Sequence, residues 1–273
     1  MTARRFGRPE LGDVQLHASF EGPPNAPCVV LLHGGGANLH WWDEIAPALA
    51  REYRVVRLDF RGHGDSDFPE TREVGAFHRD LEALCAELGE PPMALVGHSM
   101  GGHIALDHAA RHAEVWAVVA VEVSFGSARK ERRRTQLALA LRRSYATREE
   151  AVERYRLLPR SPGVPEERRR RLAEDSVVAL PDGRFAYKFD PGWFGLPPAP
   201  HAALSEVGCP TLVIRGGKSS LLTEEGAEQA AAALPRGDLL EIPDAGHNVH
   251  LECPERVADA VLAHLRPHAP ESS

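Results

Sequence analysis

The segment Gly97-His-Ser-Met-Gly101 constrains the fold of this chain more than any other stretch. A short apolar run, Met93 to Val96, precedes it, and a segment compatible with a helix, His103 to Arg111, follows it. This order predicts a strand that turns sharply into a helix, with Ser99 at the turn. The flanking glycines have no Cβ atom, so the helix can pass close to the strand while the central residue adopts a strained conformation.

Ser99 is therefore a candidate nucleophile. A serine hydroxyl reacts poorly at its free pKa, so it needs a base that takes its proton and backbone N–H groups that receive the oxyanion. An ordinary glycine turn with a solvent-facing serine is the alternative interpretation. The motif alone does not decide between these two interpretations, so the decision depends on the rest of the chain.

Length and charge limit the classes of protein that fit. A chain of 273 residues is long enough for one large α/β domain with an insertion. Its net charge of −7 argues against nucleic acid as a partner, since contact with phosphates needs a basic face. The N-terminal residues lack the apolar stretch of a signal peptide, and no apolar run reaches membrane length. We expect a cytoplasmic protein without a membrane partner, and the scattered cysteines predict reduced packing residues.

A glycine-rich loop follows the first central strand. Cys28 to Leu32 is a continuous apolar run, which is typical of a parallel strand covered on both faces, and His33-Gly-Gly-Gly36 comes next. Because parallel strands point their carboxyl ends to one edge of the sheet, this loop is expected near Ser99. Gly35 is the preferred oxyanion donor, and Gly36 is the next candidate. A phosphate-binding function is disfavoured for this loop, because it has neither the Gly-Lys-Ser/Thr of a P-loop nor a full Gly-x-Gly-x-x-Gly.

Strands and helices alternate along the remaining core. Val14 to Phe20 predicts an edge strand, and Tyr53 to Leu58 predicts a central one. Phe77 to Leu88 has the apolar spacing of a helix, and Val115 to Val121 is a further buried strand that ends at Glu122. The alternation predicts an α/β fold with a doubly wound, mostly parallel sheet.

A helical insertion interrupts this pattern. From about Ser127 to Pro200 the chain is basic and has no strong strand, so the predicted division is a first core part at 1–126, a helical cap at 127–200 and a second core part at 201–273. Most of the cap arginines are expected on solvated helix faces, and a minority would steer an acidic substrate. Trp193 and Phe194 are expected to pack in the cap or to line a pocket.

Histidines occur in several motifs. The strand predicted over Leu239 to Ile242 leads to Ala-Gly-His247, while His98 lies inside the serine motif and is a candidate for the pocket wall. His108 and His112 have ligand spacing on a helix, but no third ligand accompanies them. The sequence therefore predicts neither a metal site nor a cofactor.

Four motifs in this order resemble the α/β-hydrolase fold family, and nearly the whole chain takes part. They are His33-Gly-Gly35, the Asp59-x-Arg-Gly-x-Gly-x-Ser66 loop, the Gly97 to Gly101 turn and Ala245-Gly-His247. The resemblance implies that Ser99 is the nucleophile, that His247 is the general base, and that the backbone N–H groups of Gly35 and Met100 form the oxyanion hole. It also implies a helical cap, which fits the basic insertion.

The chain departs from the family at the position of the acid. In much of the family a Gly-x-x-Asp follows the next-to-last strand, but here Gly216 leads to Ser219. Some members place the acid directly after the strand that follows the helix of the serine turn, and Glu122 occupies that place. We therefore predict Glu122 as the group that orients His247. A salt-bridged surface carboxylate is the alternative role for Glu122, and Asp244 is the rival acid, although it more naturally shapes the turn before His247.

These residues favour a serine hydrolase that acts on a small-molecule carboxylic ester or lactone through an acyl-enzyme. One alternative is hydrolysis of a carbon–carbon bond in a diketo-acid-like substrate. Another is a binding protein that kept the fold without catalysis. Gly36, His98, Trp193 and Phe194 are the candidate substrate-binding residues. The acyl and alcohol groups and the oligomeric state are not predicted.

Overall fold

The computed structural model describes residues 1–89, 91–125, 128–196 and 201–270, without the side chain of Glu10. The strands in these ranges are β1 (Thr2–Gly7), β2 (Gln15–Glu21), β3 (Cys28–Leu32), β4 (Arg54–Asp59), β5 (Met93–His98), β6 (Val115–Val121), β7 (Val177–Ala179), β8 (Phe185–Tyr187), β9 (Thr211–Gly216) and β10 (Gly237–Ile242). The α-helices are α1 (Ala46–Leu49), α2 (Ala76–Leu88), α3 (Met100–Ala109), α4 (Arg129–Leu139), α5 (Arg148–Arg154), α6 (Glu166–Asp175), α7 (Glu224–Ala233), α8 (Val249–Glu252) and α9 (Pro254–Leu265).

Within the described ranges, one sheet of eight strands has the order β1-β2-β4-β3-β5-β6-β9-β10. The strands β4, β3, β5, β6, β9 and β10 are parallel to one another. Strand β2 pairs antiparallel with both β1 and β4. The predicted α/β fold with a mostly parallel sheet is confirmed. The prediction that Val14 to Phe20 forms the edge is wrong, because β1 pairs along the outer side of β2.

Helices cover both faces of the sheet. In β3, Val30 and Leu32 pack on one face with residues of α2, α3 and α7. Val29 and Leu31 pack on the other face with residues of α1 and α9. Because neighbouring side chains of a strand point to opposite faces, a fully apolar strand requires this double cover.

The insertion between β6 and β9 contains α4, α5, α6 and the β7–β8 hairpin. It has its own apolar cluster, in which Tyr155 and Leu172 are buried together with Trp41 from the core. The predicted cap boundaries, at 126/127 and 200/201, fall on residues outside the described ranges or next to them, so this division stays a prediction. None of the helices in the described part of the chain is long and apolar enough to cross a bilayer.

Helix α3 crosses β5 and β3 at very short range. A Cβ atom on Gly97 would overlap the backbone of Gly101, and one on Gly101 would overlap the carbonyl oxygens of Leu32 and His33. Neither obstacle is a flexible side chain. Only glycine at these positions lets the helix start directly over the strand ends.

We expect Gly101→Ala to destabilise the protein by about 3 kcal/mol or more, because the new methyl group must push backbone apart. Gly208→Ala is the matched control, since a Cβ atom there meets nothing within 4 Å. Its expected effect stays within about 0.5 kcal/mol. Urea unfolding of the three proteins measures both differences, and equal midpoints for the two variants would contradict the packing argument.

Candidate active site

Ser99 lies at the turn between β5 and α3 with φ 49° and ψ −110°. A residue other than glycine is strained at positive φ, and the surrounding hydrogen bonds hold it there. The N–H of Ser99 donates to the carbonyl of Val121 at 2.9 Å, and its own carbonyl accepts from the N–H of His103 at 3.1 Å. The strained turn places the serine at the wall of a cavity of about 740 Å³.

Two residues that line this cavity have backbone N–H groups without an acceptor in the described part of the protein. Gly35 and Met100 both line the cavity of Ser99. Across the described residues, neither N–H donates to a protein acceptor. Met100 is the first residue of α3, where the N–H groups of a helix are unpaired and its dipole favours negative charge. The N–H of Gly36 differs, because it donates to Nε2 of His63 at 3.2 Å.

His247 and Glu122 form a buried pair. Nδ1 of His247 lies 2.9 Å from Oε2 of Glu122, and their side chains are 4% and 0% exposed. The carboxylate also accepts from the N–H of Gly216 and from Oγ of Ser219, each at 2.6 Å. Glu122 itself has φ 55°, and its N–H donates to the carbonyl of Ile214 at 2.8 Å. The ends of β6 and β9 are thus joined to the loop of His247.

Ser219 has a part in this arrangement that sequence reasoning missed. It stands where much of the family has the acid, and its hydroxyl donates to Glu122 while accepting from the N–H groups of Leu221 and Leu222 at 3.2 and 3.1 Å. A polar residue at the vacated acid position was the available signal. Asp244 is not brought to the imidazole, since its side chain is 84% exposed and lies 3.4 Å from Nζ of Lys218.

His98 supports the loop of His247 through a hydrogen bond to its backbone. Its Nε2 donates to the carbonyl of His247 at 3.0 Å, and its ring is 2% exposed although it lines the cavity. The ring of His250 lies 4.2 Å from that of His98 and 4.9 Å from that of Trp42. Both ring nitrogens of His250 are buried without a partner among the described residues. These aromatic and imidazole rings therefore form a cluster of tilted contacts beside His247.

Burial keeps these two supporting rings neutral. It lowers the pKa of His250 to about 3, helped by the nearby His247, and holds the pKa of His98 well below its usual value. A histidine whose pKa is lowered in the folded state binds its proton only after unfolding. The contribution of such a histidine to the free energy of unfolding is then fully present above the ordinary histidine pKa near 6.5, and it is lost as the pH falls below that value.

We expect His250→Phe to weaken this acid sensitivity. One histidine with a folded pKa of about 3 costs about 2 kcal/mol of stability between pH 6.5 and pH 5. Phenylalanine keeps a ring in the same place and removes the titrating group. Unfolding free energies at pH 7 and pH 5 should differ by about 2 kcal/mol less in the variant than in the wild type. The same pH dependence in both proteins would contradict the burial argument.

The cavity of Ser99 is shared by the core and the inserted segment. Trp193 and Phe194 both line it, and the Trp193 ring packs on Phe77 with ring centroids 4.8 Å apart. Gly36 lines a neighbouring cavity of about 880 Å³ instead. Among the predicted site residues, the cavity thus brings together Ser99, His247, Gly35, Met100, His98, Trp193 and Phe194, with Glu122 buried behind His247.

The chain belongs to the alpha/beta hydrolase family, whose model matches residues 29–260. This match covers the parallel sheet, the serine turn and the loop of His247. The resemblance recognised from the four sequence motifs is confirmed.

Similar proteins include enzymes of more than one activity. The dihydrolipoyllysine-residue acetyltransferase component of the acetoin cleaving system of Pseudomonas putida is 29% identical over 88% of this chain, which spans 64% of that protein. The sn-1-specific diacylglycerol lipase ABHD11 of Mus musculus is 26% identical over 90% of this chain and 83% of its own length. The structure of E-2-(acetamidomethylene)succinate hydrolase superposes with a TM-score of 0.81 at 22% identity, covering 97% and 98% of the two chains.

Proposed function

We propose that the protein is a serine hydrolase that cleaves a carboxylic ester or lactone through an acyl-enzyme on Ser99. The observation that carries the proposal is the placement of Ser99 and His247 on one cavity, with the imidazole held at 2.9 Å by the buried Glu122. The nucleophile, the base and the anion that orients the base are the parts that acyl transfer by serine needs.

In the acylation step, Oγ of Ser99 attacks the carbonyl carbon while Nε2 of His247 takes the hydroxyl proton. The oxyanion is stabilised by the N–H groups of Gly35 and Met100, which have no competing protein acceptor in the described residues. The tetrahedral intermediate collapses, the bond to the alcohol oxygen breaks, and the imidazolium gives its proton to that oxygen. Glu122 stabilises the imidazolium charge and fixes the tautomer with the proton on Nδ1.

Deacylation repeats the same proton movements with water. His247 removes a proton from the water molecule, the hydroxide attacks the acyl carbon, and the proton returns to Oγ of Ser99 as the acid leaves. The likeness to the mouse diacylglycerol lipase over most of both chains supports an ester as the bond that is cleaved. The likeness to E-2-(acetamidomethylene)succinate hydrolase echoes the carbon–carbon alternative only in part, because at 22% identity that likeness extends to the fold alone.

We expect Ser99→Ala and His247→Ala each to lower kcat for a small aryl ester by at least about 10⁴-fold, because both residues act in one proton-transfer unit. The double variant should be no slower than either single variant. Kinetics with phenyl acetate and labelling by a fluorophosphonate probe measure this. A double variant whose loss equals the product of the two single losses would contradict a shared role.

We expect Glu122→Gln to lower kcat by about 10³-fold or more, because an amide favours the wrong imidazole tautomer and offers no charge. Ser219→Ala is the matched control within the same hydrogen-bond cluster, since it removes one donor to the carboxylate and leaves the charge in place. Its loss of kcat should be about tenfold or less. If both variants kept near-normal kcat, another group would have to orient His247.

A further inference from the structure

The cavity of Ser99 contains an unbalanced positive charge. The charged residues that line it are Glu73, Asp107 and Arg132, besides several histidines. Glu73 lies 2.6 Å from Nη2 of Arg79, and Asp107 is paired with Arg111. Neither Arg79 nor Arg111 lines the cavity. The negative charges of both carboxylates are therefore offset by arginines that do not line the cavity.

Arg132 has no such partner. No carboxylate within the described ranges lies at ion-pair distance from its guanidinium, whereas seven other arginines of the inserted segment have such a carboxylate. The residue is half-buried and projects from the face of α4 that lines the cavity, together with Thr135, Gln136 and Leu139. These positions are one helical turn apart along a single face. Arg133, the next residue, is exposed and lines neither cavity.

Two neutral imidazoles line the same cavity as this guanidinium. His103 and His201 stack with ring centroids 4.8 Å apart, and both line the cavity. Burial lowers the pKa of His103 to about 3, and burial followed by the charge of Arg132 lowers the pKa of His201. At neutral pH these rings are neutral, so Arg132 supplies the local charge. His103 follows Ser99 by one turn of α3, about 6 Å along the helix axis.

An unpaired guanidinium in a cavity attracts an anion, and a carboxylate matches its planar donors. We propose that the substrate carries a carboxylate, which Arg132 binds in the cavity of Ser99 at the end remote from the scissile ester bond. This inference rests on the proposed serine hydrolase activity. The carboxylate sits on either the acyl or the alcohol part of the ester, and the two sources are separated by the substrates below.

The test compares acidic and neutral esters of equal length. For the acyl side, the pair is the phenyl monoester of adipic acid and phenyl hexanoate. The phenyl monoesters of succinic and suberic acid vary the distance between the ester bond and the free carboxylate. For the alcohol side, the pair is the acetyl ester of hydroxyhexanoic acid and hexyl acetate. The wild type should favour the acidic member of one pair by about tenfold in kcat/KM. This preference should shrink at high ionic strength, since salt screens the charge.

Arg132→Gln should remove that preference by lowering kcat/KM for the acidic ester by about tenfold, while the neutral ester changes by about twofold or less. Arg133→Gln is the matched control on the same helix and should change neither rate. Arg132→Lys keeps the charge without the fork geometry and should restore part of the preference. Circular dichroism and melting temperatures establish that all variants fold.

Equal rates for acidic and neutral esters in the wild type would overturn the proposal. So would equal losses for both esters in Arg132→Gln with Arg133→Gln unaffected, because that pattern marks a structural role. Failure of the hydrolase proposal has a different signature, namely no turnover of any ester and no labelling of Ser99. In that case, calorimetry compares the binding of the phenyl monoester of adipic acid to Ser99→Ala and to the double variant that also carries Arg132→Gln. Equal affinities of these two proteins would refute the binding of a carboxylate by Arg132.

Discussion

The arrangement of the site depends on one buried carboxylate. Glu122 is fully buried, and a carboxylate without partners would cost several kcal/mol in that environment. Its two oxygens accept from a backbone N–H, a hydroxyl and an imidazole, which come from the end of β9, the following turn and the loop after β10. The need to satisfy this charge draws these segments together, and the imidazole is oriented as a consequence.

Much of the core could be predicted from the sequence because its signals are local. The continuous apolar runs of β3, β5 and β6 are typical of strands that are covered on both faces, and the glycines of the serine turn fit a helix that starts against a strand. β1 escaped prediction because only Phe6 among its side chains is buried. A strand of exposed polar residues has no pattern that separates it from a loop.

The site could be predicted only in part. Strand ends meet at one sheet edge whatever lies between them, so topology alone places Glu122 near Ser99 and the His247 loop. The hydrogen bond from Ser219 and the ring contact between His98 and His250 depend on tertiary packing that no local pattern encodes. The same holds for Arg132, which in sequence is one arginine in a basic run and differs from Arg133 only in the direction that its helix gives it.

The hydrogen bonds around Glu122 span 94, 97 and 125 residues of chain. Contacts between residues so far apart in sequence require large loops to close, and the chain entropy is lost before the contacts contribute to stability. Parallel sheets are slow to fold for this reason. During synthesis β6 leaves the ribosome well before its neighbour β9, and the inserted helices emerge between the two. Until β9 arrives, one side of β6 presents unpaired backbone groups beside apolar side chains, and an edge of this kind favours aggregation and chaperone binding of the nascent chain.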